Sequence, residues 1–153
     1  MKKETKKNLL IVAIVVFTLF LGLVFANIII HFVSEQKFKS ALSDLKHIIR
    51  DTYSGRNSIE VKGHTVTIKI WSEDMSVTVK KAGAGDSYFV NLWNELRDKM
   101  YNFADSVCDM FNLVTDAKIY LCYVNEKNTD LNLLVFKNRD LYYDVVTGYK
   151  AGG

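Results

Sequence analysis

Hydrophobic and polar positions divide this chain into segments of different period. From Leu9 to Val33 the residues are apolar on every side, LLIVAIVVFTLFLGLVFANIIIHFV, broken only by Asn27 and His31. As a helix rising 1.5 Å per residue, such a run spans the roughly 30 Å hydrocarbon core of a bilayer. A soluble core helix does not stay apolar all round for so long. From Ser34 to Tyr53 the pattern changes to one buried face, with Phe38, Ala41, Leu42, Leu45, Ile48, Ile49 and Thr52 at three–four spacing. Nothing between Val33 and Glu35 breaks a helix, so the two segments are expected to form one rod, ended by Ser54-Gly55.

Alternation follows. Ile59 and Val61 are apolar on odd positions, and Val66, Ile68 and Ile70 on even ones, so a turn at Lys62-Gly63 separates two strands. Met75, Val77 and Val79 alternate with Ser76, Thr78 and Lys80 and predict a third strand. After Ala82-Gly-Ala-Gly85, Asp86 suits the N-cap of a long helix. Its predicted stripe is Phe89, Leu92, Trp93, Leu96, Met100, Phe103, Ala104, Val107, Phe111 and Val114. Three more strand runs, Ala117–Asn125, Leu131–Lys137 and Leu141–Thr147, are joined by turns at Glu126–Asp130 and Asn138–Asp140. The order helix, three strands, helix, three strands packs most simply as a two-layer α+β domain with a mostly antiparallel sheet. The expected organisation is a tail over residues 1–8, a transmembrane helix over 9–33 and an extracytoplasmic domain over 34–153.

Charge changes this picture in one respect. Lys2, Lys3, Lys6 and Lys7 precede the apolar run and predict a cytoplasmic N-terminus with the domain outside. Four of the 20 basic and one of the 17 acidic residues lie in that tail, leaving 16 of each sign beyond it. The domain is therefore formally neutral, and a nucleic-acid partner is not expected. A cleaved signal peptide is the alternative to a retained anchor, since Val24 and Ala26 suit cleavage before Asn27. Apolarity nevertheless continues to Val33. Proline is absent, which argues against a rigid Pro-rich spacer.

Candidate chemistry is sparse. His31, His47 and His64 show no metal spacing, and no histidine lies near either cysteine to act as a base. Cys108 on the helix edge and Cys122 on the next strand are either a disulfide or two free thiols. Asp98, Asp105 and Asp109 read as a solvated helix face, though two aspartates four apart could chelate a cation or meet a basic partner. The loop Asn125–Asp130 lacks the ligand order of a calcium loop, and Ala82–Gly85 lacks the Gly-Lys-Ser/Thr of a phosphate loop. No catalytic, cofactor or metal site is expected, and the chain reads as a non-enzyme.

The last strands carry the best binding clue. Ile119, Leu121, Tyr123, Leu133, Val135, Leu141, Tyr143 and Val145 occupy one parity. Tyr120, Cys122, Val124, Leu134, Phe136, Tyr142 and Val146 occupy the other. Both faces are apolar, so either the first helix covers the second face or Tyr120, Phe136 and Tyr142 stay partly exposed as a partner surface.

Trp93, Leu96 and Met100, then Val124-Asn-Glu-Lys-Asn-Thr-Asp130, Leu133-Leu134 and Tyr143-Asp144-Val145, resemble a domain of uncharacterised membrane-tethered proteins and lipoproteins of low-GC Gram-positive bacteria. The resemblance covers about Asp86 to Thr147 and implies an envelope location without an activity. In outline the chain also resembles a type IV pilin, but the apolar run lacks a glutamate near its start and no processing site precedes it. Together these features predict a single-pass envelope protein whose domain binds a protein partner or assembles with itself. A pilin-like or secretion-apparatus subunit is the alternative, using Gly22 and Ala26 as a small-residue pair, and an envelope enzyme is third.

Overall fold

The apolar run and the amphipathic segment behind it fold as a single helix, α1 (Lys2–Tyr53). The computed structural model describes residues 2–152 except Thr115, with side chains from Val16 onward; the role of the tail lysines lies outside the described side chains. From Val16 to Val33 the large apolar side chains point outward on every side and none of the most apolar window, whose mean hydropathy is 2.4, is buried. This is the one helix among the described residues long and apolar enough to cross a membrane. Asn27 donates its side-chain N–H to the Leu23 carbonyl at 3.1 Å, keeping its amide satisfied within the helix. Beyond Val33, Phe38, Ala41, Leu45 and Ile49 are buried, whereas Ile48 is 43% exposed and Thr52 is solvated. The stripe is thus narrower than the spacing predicts.

α1 ends at Ser54 and Gly55, both with positive φ. β1 (Asn57–Lys62) and β2 (Thr65–Ile70) form a hairpin whose tight turn places Gly63 at φ 57°, where a side chain is strained. The predicted third strand is instead a helix, α2 (Met75–Gly83). Met75, Thr78 and Ala82 are buried, and with Val79 they form a three–four set hidden inside the alternating one. Asp74 starts the turn in a left-handed conformation, its carbonyl accepting from Val77 N and Thr78 N. Ser76 meets the Glu126 carboxylate through both its N–H and its hydroxyl, which ties α2 to a turn 50 residues further along the chain. α3 (Ser87–Met110) begins as expected on Asp86, whose side chain accepts from Tyr88 N and Phe89 N. Of its predicted stripe, Leu92 is 39% exposed.

Four strands close the chain: β3 (Lys118–Asn125), β4 (Asn128–Lys137), β5 (Asp140–Asp144) and the two-residue β6 (Tyr149–Lys150). The expected strand to Thr147 therefore stops at Asp144. The architecture is α+β, with element order helix, two strands, two helices, four strands rather than two helix-plus-three-strand halves. The mixed sheet runs β1-β2-β3-β4-β5-β6, antiparallel throughout except for the parallel pair β2–β3. A parallel pair needs a crossover connection, and α2 and α3 supply it.

All the helical packing lies on one face. Phe38, Leu45 and Ile49 of α1, Met75 of α2 and Trp93, Met100 and Val107 of α3 share a core with Ile68, Ile70, Leu121, Leu134 and Phe136. Each such side chain taken from water contributes about 1.5–3 kcal/mol. The first helix therefore does not cover the second sheet face; Phe38 stacks near Phe111 and Tyr53 near Phe103, which places α1 beside α3.

Two polar ties organise this core. Asp144 is fully buried, and its Oδ1 accepts from Trp93 Nε1 at 3.0 Å, Val146 N at 2.9 Å and Thr147 N at 3.3 Å. Its Oδ2 makes no hydrogen bond and faces Arg97 at 3.6 Å. Where α1 leaves the apolar segment, His64 in the β1–β2 turn spans Glu35 of α1 (Nε2, 2.7 Å) and Asp116 of the α3–β3 loop (Nδ1, 2.6 Å). Its ring lies against Phe38 and is 14% exposed. The Asp116 and then the Glu35 hydrogen bond hold the His64 imidazolium above its ordinary 6.5, and the His64 contact holds Asp116 below its ordinary 3.8.

Trp93→Phe removes the indole donor and leaves a gap where the larger ring packed, so urea denaturation of the full chain in micelles should show a loss of more than about 1 kcal/mol. A raised histidine pKa stabilises the fold fully below the unfolded value, and that contribution disappears as pH rises through the folded one. The thermal midpoint of the full chain should fall as pH rises from 6.5 into the alkaline range, and His64→Gln should flatten that slope. An identical slope in the variant would refute the tie.

Candidate binding groove

Among the described residues no helix packs on the second face of the sheet, whose composition follows from strand register. Tyr120 pairs with Lys137 and Cys122 with Val135 across β3 and β4. Thr67 and Lys69 flank them on β2. Because side chains alternate, these residues share the helix-free face. On β5, Leu141 pairs with Phe136 and Tyr143 with Val135, leaving Tyr142 as the extra residue of a β-bulge. The bulge turns Leu141 to the core while both neighbouring tyrosines reach the open face.

Here Cys122, Val124 and Val135 form a second, small cluster, buried beneath Trp71, Tyr120 and Tyr143. Above it lies a groove of about 560 Å³ lined by Thr67, Tyr120, Cys122, Leu131, Asn132, Val135, Tyr142, Tyr143 and Lys150. Its floor is apolar and its walls are phenol rings. Burial pushes the Cys122 thiol up to about 11, so it stays protonated at neutral pH and serves as apolar floor rather than nucleophile.

Tyr120 and Tyr142, both predicted as partner-facing, line this groove together. Phe136 does not. It is 2% exposed on the helix side, in ring contact with Tyr101 of α3. The correction has a simple cause: the register pairs Leu121 with Phe136, so even positions on β3 share a face with odd positions on β4. For the same reason Val135 and Tyr143 belong to the groove although their parity grouped them with Leu121. Leu131, Asn132, Lys150 and Thr67 were not singled out by the sequence, which holds no local signal for cross-strand neighbours.

The remaining candidates resolve separately. Cys108 and Cys122 are free thiols on opposite sides of the sheet, one against the main core and one in the groove floor, so no disulfide joins them. Asp105 and Asp109 of α3 both bind Arg139 in the β4–β5 turn, which makes the basic partner of that face a residue of the same chain. Asp98 remains solvated. Burial raises the Cys108 thiol, beside a second cavity of about 480 Å³ lined by Phe111, Asn138 and Arg139. His47 contacts Arg50 at 3.0 Å. Among the described residues no three His, Cys, Asp or Glu side chains gather in a metal-binding group.

Comparison with family models, with curated proteins and with solved structures yields no significant match.

Tyr142 is 37% exposed, whereas Val135 lies in the floor. Tyr142→Ser should change stability by less than about 1 kcal/mol, while Val135→Asp, which buries a carboxylate, should abolish cooperative urea unfolding.

Proposed function

We propose that this chain is a single-pass membrane protein of the bacterial envelope, its N-terminus cytoplasmic and its domain outside, acting through contact between the open sheet face and a protein partner. The lysine-rich start of the sequence supports that orientation. The observation that carries the reading is the helix-free face: every helix packs on the other side, yet this side holds an apolar groove walled by Tyr120, Tyr142 and Tyr143. Aromatic residues over an apolar floor, on a surface anchored beside the membrane, suit protein recognition. The anchor is the means of presentation in this reading, and no reaction is assigned to the domain.

The test is photocrosslinking in living cells, with p-benzoylphenylalanine at position 142 and, as control, at position 98 on the solvated side of α3. Specific adducts at 142 and none at 98 are expected, and they should survive exchange of the apolar segment for an unrelated one. Self-adducts that vanish on Gly22→Leu would instead favour assembly through the membrane helix. Absence of adducts at 142 would sink the partner-surface reading.

A further inference from the structure

Charge around the groove narrows what it can hold. Lys137 reaches over the tyrosines, its Nζ 5.9 Å from the ring centroids of both Tyr120 and Tyr142. Lys150 lines the groove from β6 and is exposed. Among the described residues neither lysine has a carboxylate within ion-pair distance. Acidic groups share this side without meeting either ammonium: Asp130 is bound by Lys69 at 3.2 Å, Glu60 pairs with Thr67 from the edge strand β1, and Asp140, the cross-strand partner of Lys137, makes no ion pair with it. Lys137 and Lys150 therefore stand without an ion-pair partner at the rim of the apolar groove on this face.

Resting on the reading of this face as a partner surface, we propose that the groove takes an extended acidic peptide segment with an aromatic or aliphatic side chain at its centre. The central side chain fills the floor over Val135 and Cys122 beside Leu131, where water gains no hydrogen bond from the thiol or the methyls. The phenol rings of Tyr120, Tyr142 and Tyr143 pack against it, and flanking carboxylates meet Lys137 and Lys150. A polyanionic glycan phosphate would satisfy the lysines but leave the apolar floor uncovered. Thr67 and Asn132 are also few partners for a row of sugar hydroxyls.

The experiment uses the full chain in nanodiscs of zwitterionic lipid and reads anisotropy of fluorescein-labelled peptides. The probes are a short run of glutamates around a central phenylalanine, the same peptide with lysines for glutamates, and the same with serine for phenylalanine. The glutamate–phenylalanine peptide should bind at least about tenfold tighter than either control. A Lys137→Gln/Lys150→Gln pair should erase its advantage over the lysine peptide, and Tyr142→Ala should weaken it about tenfold. Equal binding of the phenylalanine and serine peptides, or displacement by poly(glycerol phosphate) with no preference among peptides, would overturn the proposal in favour of an anionic polymer. No peptide binding, with the cellular adducts at position 142 intact, would refute the acidic-peptide assignment and leave the partner-surface reading standing. Loss of those adducts as well would remove both.

Discussion

Burial of one face of α1 beyond Val33 is the constraint on which the rest of the structure depends. One uninterrupted helix exposes apolar side chains on every side from Val16 to Val33 and buries Phe38, Ala41, Leu45 and Ile49 against the domain beyond it. The change occurs within one turn, at Ser34 and Glu35. There His64 and Asp116 join the helix to two loops of the domain. With no break between the halves, the domain is held in a set attitude to the apolar segment rather than hung from a linker.

That placement decides what the sheet can offer. α1, α2 and α3 all occupy the same face, and Trp93, reaching Asp144 across the core, locks the last strands beneath them. The opposite face must then manage its own apolar residues. It does so with a small cluster of Cys122, Val124 and Val135 shielded by aromatic rings, and with a bulge that brings Tyr142 beside Tyr143. A groove with an apolar floor and a basic rim is the consequence of packing every helix on one side.

Much of the scaffold was legible in the residues. The apolar run, the helix after it, the Ser54-Gly55 stop, the β1–β2 turn and the Asp86 cap all rest on interactions within a few positions. Segment 75–83 was not legible, because its alternating and helical patterns share Met75 and Val79. The Asp74 turn, the Glu126 contact and the buried Thr78 and Ala82 select the helix. Ile48 and Leu92 sit at the margins of their stripes, where the neighbouring element, not the period, decides burial.

The candidate site divides in the same way. The sequence by itself determined that both parities of the last strands are apolar, that Tyr120 and Tyr142 are the aromatic residues to watch, and that the charge beyond the tail balances. Only the tertiary structure decided which residues share a face, since an odd-to-even register across β3 and β4 sends Phe136 inward and Val135 outward. It also decided that Cys108 and Cys122 lie apart and that Arg139 answers Asp105 and Asp109. Periodicity is a property of consecutive residues, whereas register, bulges and the side on which helices pack are set by contacts between residues far apart in the chain.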